Sequence, residues 1–88
     1  MTFDNDAILD RYAGLIGFET ISHVDPDKID YGPFFALHDY LRQTYPLVHA
    51  HLSCEVVERA SLLYHWKGDG SSPALPVALL AHLDVVPP

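Results

Sequence analysis

The 88-residue sequence predicts an α/β fold, in which two N-terminal helices precede about three β-strands. Three observations predict this order of elements. Apolar residues recur at helical spacing in the first half of the chain, alternate with polar residues near the middle, and run almost without interruption near the end. No shift in composition marks a boundary, so we expect residues 1–88 to lie within one domain.

The first predicted helix covers DNDAILDRYAGLIGF, which is residues 4–18. Its apolar side chains recur three and four positions apart, at Ile8, Leu9, Tyr12, Ala13 and Ile16. Asp4 or Asn5 can cap its start, because their side-chain oxygens accept from free backbone N–H groups. Gly14 and Gly17 weaken the last turns, and we expect a polar loop after them.

The second predicted helix runs from about Pro33 to Tyr45. Proline is favoured in the first turn of a helix, and Gly32 or Asp30 could cap it. One stripe carries Phe34, Leu37, His38, Leu41 and Tyr45, and we expect it to pack into the core. Pro46 should end the helix.

The strands are predicted in the second half of the chain. In VHAHLSCEVV, residues 48–57, every second residue is small or apolar, so we expect one buried face that includes Cys54. A second short strand, SLLYHW, is followed by the turn-rich connector KGDGSSPALP. The third strand, VALLAHLDVV, residues 77–86, is apolar enough to predict coverage on both faces, as in the centre of a sheet.

Composition narrows the functional classes. A formal net charge of −7 argues against binding to nucleic acid or to an anionic membrane surface. The chain has one cysteine, which fits a reducing compartment, and we see neither a signal peptide nor a long apolar run. We therefore expect a cytoplasmic protein with no nucleic-acid or membrane partner.

His82 and Asp84 are the main candidate site residues. They lie two positions apart, so a strand would place both side chains on one face. A metal-bound imidazole needs its second nitrogen held, commonly by a carboxylate, and open α/β sheets bind ligands beyond the carboxyl ends of strands. H-x-D is also a frequent chance pattern, so spacing alone leaves open a purely structural pair.

Other polar residues are weaker candidates. His49 and His51 would share a strand face and could bind a metal, although no third ligand is identifiable and a solvated face is the usual case. His38 is predicted at the flank of the second helix, and His65 is predicted to be exposed. Cys54 lacks a cationic neighbour in the sequence that would lower its pKa.

The sequence LLAHLDVVP resembles the first metal-site motif of the co-catalytic zinc exopeptidases and deacylases. This family includes carboxypeptidase S, aminoacylase, acetylornithine deacetylase and succinyl-diaminopimelate desuccinylase. LIGFETIS resembles the family's first-helix exit, with Thr20 and Ser22 in its Thr-x-Ser, and FFALHDYLRQTYP resembles the next helix. The segment from Ser61 onward is most similar to the carboxypeptidase S and N-acyl-amino-acid hydrolase branch.

This resemblance implies roles for two residues. His82 corresponds to a histidine ligand of a two-zinc site, and Asp84 to the aspartate that orients its imidazole without bridging the metals. The family's other ligands and its glutamate base follow this motif, so we expect residues 1–88 to be the N-terminal part of a larger α/β/α catalytic domain. The implied reaction is hydrolysis of dipeptides or N-acyl amino acids beside a free carboxylate, through a zinc-activated water.

Two function classes stay open. In the first, the chain is the N-terminal part of a zinc-dependent metallopeptidase or amidohydrolase that acts on a small peptide or N-acyl amino acid. In the second, it is a truncated non-catalytic module that folds or self-associates without activity. In both cases we include a homo-oligomer among the expected partners, because an uncovered third strand would offer an edge for pairing.

Overall fold

The computed structural model describes residues 2–88. Over this range the chain forms three α-helices, one short 3₁₀ helix at Pro26–Lys28 and one two-stranded antiparallel sheet. The longer elements are α1 (Asn5–Ile16), α2 (Gly32–Thr44), α3 (Pro46–His51), β1 (Ser53–Val57) and β2 (Ser61–His65). The predicted mixed α/β class is confirmed. No helix within residues 2–88 has the length and hydropathy that crossing a membrane requires.

Helix α1 begins where its sequence predicts. The Asp4 carboxylate accepts from the Ala7 N–H at 3.1 Å, so Asp4 is the capping residue. Near its end α1 contacts α2 through Gly14, whose missing side chain leaves space for the Tyr40 ring. The Tyr40 hydroxyl donates to the Arg11 carbonyl at 3.2 Å, and this bond fixes the two helices against each other.

Helix α2 carries most of the small core. Its Phe34, Leu37 and His38 are buried, and Thr20 and Ala60 are buried with them. The predicted stripe is therefore confirmed for its first three members, whereas Leu41 and Tyr45 are half-buried. His38 lies inside the core with this stripe, so its predicted position at the flank of the helix is wrong; its Nε2–H donates to the Ala60 carbonyl at 2.8 Å. A buried imidazole needs such a partner, and the hairpin turn supplies it.

The predicted strand over residues 48–57 is wrong in its first half, which forms helix α3. Pro46 ends α2, as expected, but it also occupies the first turn of α3, where a proline has no N–H to leave unpaired. The His49 imidazole extends this local structure by donating from Nδ1 to the Tyr45 carbonyl at 2.8 Å. The strand therefore begins only at Ser53.

Strands β1 and β2 form a hairpin in which Cys54 lies opposite Tyr64. Glu58 and Arg59 turn the chain with φ of 52° and 67°, and the Ala60 N–H donates to the Glu58 carbonyl at 2.7 Å. All five residues of β1 are exposed, so the predicted burial of Cys54 is wrong. The hairpin rests on α2 through its turn, not through a face of β1.

The predicted third strand does not form. In the described part of the chain, residues 77–86 make one isolated parallel bridge, between Ile21 and Val85. Val77, Leu79 and Leu80 are 85–95% exposed, so the predicted burial of this segment is also wrong. A strand exists only by pairing with a neighbour, and the β1–β2 hairpin does not pair with these residues.

Candidate functional site

The structure brings His82 and Asp84 together. His82 Nδ1 lies 3.0 Å from Asp84 Oδ1 and 2.8 Å from the Asp84 carbonyl oxygen. Both oxygens accept hydrogen bonds, so Nδ1 must carry the proton and donate to them. In the neutral ring Nε2 then keeps a free lone pair, and the side chain that bears it is 84% exposed.

The loop after α1 positions this pair in place of a third strand. The Thr20 hydroxyl donates to the Leu83 carbonyl at 2.7 Å, and the Val85 N–H donates to the Thr20 carbonyl at 2.8 Å. Ser22 completes the contact, because its N–H and its hydroxyl donate to the Val85 carbonyl at 2.8 and 3.1 Å. The segment that carries His82 and Asp84 is therefore attached to residues more than 60 positions earlier in the chain.

A groove of about 560 Å³ opens beside the pair. Its walls come from α2, from the hairpin and from the 79–84 segment. The apolar wall includes Ile29, Tyr31, Phe34, Leu41, Leu62 and Leu79. Glu58, His82 and Asp84 are its ionisable lining residues apart from the tyrosines. The exposed imidazole thus borders a cleft that is mostly apolar.

The donor set fits one ligand position of a zinc site. His82 Nε2 is free, and a carboxylate holds the other ring nitrogen, which is the usual arrangement for a metal-bound histidine. Among residues 2–88, however, no group of three or more His, Cys, Asp or Glu side chains converges on a common point. A catalytic zinc needs about three protein ligands, so no catalytic step can be assigned to these residues alone.

The alternative H-x-H site fails in the structure. His49 and His51 lie in α3, where residues two apart point about 200° from each other around the helix. Both ring nitrogens of His49 are also used: Nδ1 donates to the Tyr45 carbonyl, and Nε2 accepts from the Tyr64 hydroxyl at 2.7 Å. No lone pair remains on this ring for a metal.

Tyr64 of β2, His49 of α3 and the Tyr45 carbonyl form a small polar cluster. Burial raises the pKa of Tyr64 to about 12, and the neighbouring Cys54 thiol contributes to the same rise. The phenol therefore stays protonated and donates to His49. The cluster links α3 to β2 and has a structural role, and His65 at the end of β2 is exposed as predicted.

Sequence reasoning missed the contacts of Thr20 and Ser22. The Thr-x-Ser pattern gave only a weak indication of these contacts: in an extended chain, two hydroxyls at alternate positions lie on one side and could bind the same neighbouring segment. Their partners, Leu83 and Val85, are too distant in sequence for a local pattern to identify.

The curated proteins most similar in sequence to this chain include several that are named as carboxypeptidases. No protein-family model and no solved structure matches the chain. The chain is 50% identical over 83 residues to YOL153C of Saccharomyces cerevisiae, which is named as a carboxypeptidase; the match covers 88% of this chain and 14% of that protein. It is 50% identical over 64 residues to carboxypeptidase S of the same yeast, covering 72% of this chain and 10% of that protein.

A third relative comes from a different organism. Carboxypeptidase S-like 2 of Dictyostelium discoideum is 38% identical over 88 residues, which covers 98% of this chain and 17% of that protein. The chain spans between a tenth and about a sixth of the length of these curated relatives. The chain therefore matches the carboxypeptidase S branch, and the predicted resemblance to that branch is confirmed.

Proposed function

We propose that the chain supplies a metal-ligand arm to a zinc-dependent hydrolase of the carboxypeptidase type. In this proposal His82 binds zinc through Nε2, and Asp84 holds the imidazole. One observation carries it: the His82 Nδ1–H donates to two oxygens of Asp84, which leaves Nε2 bare and exposed beside the groove. The carboxypeptidase names of the relatives support the class of reaction.

The chemistry of each residue follows from this geometry. Bound zinc would polarise a substrate carbonyl and lower the pKa of a bound water. Asp84 fixes the ring tautomer and makes Nε2 a better electron donor, because the carboxylate stabilises positive charge on the imidazole. The substrates we propose are dipeptides or N-acyl amino acids with a free carboxylate beside the amide that is cleaved. We also propose that the complete site holds two zinc ions and that the protein is cytoplasmic.

A second candidate is a non-catalytic module that self-associates. The observation that favours it is the exposure of Leu75, Val77, Leu79 and Leu80, which form an apolar segment on the surface. Soluble monomers seldom leave such a continuous stretch in water. The two candidates differ in one testable property, because only the first requires His82.

A chimera tests the first candidate. The region of yeast carboxypeptidase S that corresponds to residues 1–88, including the His82 and Asp84 positions, would be replaced by this chain's sequence; the two proteins are 50% identical over 64 residues. We expect the chimera to retain carboxypeptidase activity and bound zinc. His82→Ala should abolish the activity, and Asp84→Asn, which removes the charge but keeps an oxygen near Nδ1, should lower it by about 10–100-fold.

The control is His51→Ala, which removes an exposed imidazole on α3 and should leave activity and zinc content unchanged. A His82→Ala chimera that keeps full activity and full zinc content would contradict the proposal. A folded but inactive chimera with the native His82 would also count against it.

A further inference from the structure

We propose that Thr20 and Ser22 are positioning residues for the metal-ligand histidine. Their contacts with Leu83 and Val85, here called the Thr20 clamp, set the tautomer and direction of the His82 ring by fixing the backbone of Asp84. The inference rests on the proposed function, in which His82 is a zinc ligand. It assigns a task to a loop that lies more than 60 residues away in sequence.

The first step concerns the peptide unit between Asp84 and Val85. Its N–H donates to the Thr20 carbonyl at 2.8 Å, and its carbonyl accepts from the His82 Nδ1–H at 2.8 Å. In a planar trans peptide the N–H and the C=O point in opposite directions. Thr20 therefore aims the acceptor that keeps the proton on Nδ1.

The second step concerns the peptide unit before Asp84. Its carbonyl belongs to Leu83 and accepts from the Thr20 hydroxyl at 2.7 Å. Thr20 thus holds the peptide units on both sides of the Asp84 Cα, which restricts the direction of the carboxylate whose Oδ1 lies 3.0 Å from His82 Nδ1. Thr20 is only 2% exposed, so water competes little for these bonds.

Ser22 secures the far side of the same segment. Its N–H and hydroxyl both donate to the Val85 carbonyl, at 2.8 and 3.1 Å. The contact between His82 and Asp84 spans only two residues and is largely exposed, so by itself it would contribute little order. The clamp supplies the order that the imidazole requires, because the preceding residues 77–80 are exposed and take part in no strand.

The test uses the full 88-residue chain without metal and with isotope-labelled histidine. Thr20→Val removes the hydroxyl and keeps the shape, whereas Thr20→Ser keeps the hydroxyl. Thr44→Val makes the same chemical change at the end of α2 and is the matched control. NMR would measure the amide exchange rate of Val85 and the fraction of His82 rings that carry the proton on Nδ1.

We expect the Nδ1–H form to dominate in the native chain. In Thr20→Val the Val85 amide should exchange about tenfold faster, because one hydrogen bond of the clamp is lost. The Nδ1–H fraction should fall toward that of an unstructured reference peptide. Thr20→Ser should restore both readouts, Ser22→Ala should move both in the same direction by less, and Thr44→Val should resemble the native chain.

Two outcomes would overturn the inference. One is a native chain in which the proton lies on Nε2. The other is a Thr20→Val chain whose Val85 exchange accelerates while the His82 tautomer does not change, since Thr20 would then have a purely structural role. If Thr20→Val does not fold, Ser22→Ala decides by the same readouts. The zinc content and activity of the chimera separately test the proposed function, because only that proposal requires His82 Nε2 to bind the metal.

Discussion

At the residue scale, three histidines differ in what their ring nitrogens contact. His38 is buried and bonded to the Ala60 carbonyl, and His49 uses both nitrogens within its cluster. His82 uses Nδ1 and leaves Nε2 exposed. From spacing alone the sequence could propose H-x-D and, as a weaker candidate, H-x-H, because spacing does not reveal which lone pairs are taken. The contacts separate them.

The Tyr64 phenol gives a prediction for alkaline pH. Its folded-state pKa is raised from 10.0 to about 12, so the stabilisation it contributes is fully present below pH 10 and is lost as the pH rises toward 12. Tyr64→Phe should remove this pH-dependent loss. It should also cost about 1 kcal/mol at neutral pH, because the hydrogen bond to His49 disappears.

Urea unfolding of the 88-residue chain between about pH 8 and pH 11 measures this difference. Tyr12→Phe is the control, because Tyr12 is exposed on α1 and should leave the alkaline slope as in the native chain. Equal slopes for the native and Tyr64→Phe chains would show that folding does not raise the pKa of the Tyr64 phenol.

At the element scale, the sequence predicted what local chemistry determines. The start of α1 at its Asp4 cap and the end of α2 before Pro46 follow from residues within one turn. The sequence analysis missed helix α3 because the alternation of apolar and polar residues over Val48–Leu52 is too short to exclude a helix. Pro46, which was interpreted only as the end of α2, also begins α3. The third strand was wrongly predicted for a different reason: its pattern is right for a strand, but strand pairing depends on partners elsewhere in the chain.

The contact between α1 and α2 gives a second prediction. Alanine usually stabilises a helix by about 1 kcal/mol relative to glycine. At Gly14, however, a Cβ would collide with the Tyr40 side chain. Moving that ring would break its bond to the Arg11 carbonyl and disturb its contact with Phe18. We expect Gly14→Ala to lower the free energy of unfolding by about 1–3 kcal/mol.

Gly17→Ala is the matched control for this change. Gly17 follows α1 with φ of −76°, and a Cβ there would lie no closer than 3.4 Å to its neighbours. We expect it to be neutral or slightly stabilising in urea unfolding. Equal effects at both positions would mean that Tyr40 does not pack over Gly14.

At the scale of the whole molecule, the described residues leave an unusually apolar surface. The buried hydrophobic side chains are Phe34, Leu37 and Ala60, whereas Leu79 and Leu80 are more than 90% exposed. We predict that the 88-residue chain self-associates through residues 77–85 or melts at low temperature with a broad transition. Sedimentation and thermal melting together measure both.

A pair of double variants makes this prediction specific. Leu79→Ser with Leu80→Ser should reduce association, whereas Leu9→Ser with Leu47→Ser, at other exposed sites, should leave it unchanged. A native chain that sediments as a monomer and melts sharply at high temperature would contradict the prediction, since three buried apolar side chains would then suffice.

The last prediction for the whole molecule concerns whether the 88-residue chain can catalyse hydrolysis. Because the described residues gather one candidate zinc ligand, the 88-residue chain should not hydrolyse dipeptides or N-acyl amino acids even with added zinc. The assay is substrate turnover by the purified chain with and without a chelator. Turnover that the chelator removes, and that is absent in His82→Ala, would mean that chains combine ligands or that further ligands were missed.

The measurement that tests the central claim most directly is a metal–nitrogen coupling in the chimera with yeast carboxypeptidase S. Zinc would be replaced by an NMR-active cadmium isotope, and the histidines would carry labelled nitrogen. We predict a one-bond coupling between cadmium and His82 Nε2, with the proton retained on Nδ1 beside Asp84. A metal-loaded, folded chimera without coupling at His82, or with coupling at Nδ1, would contradict the account.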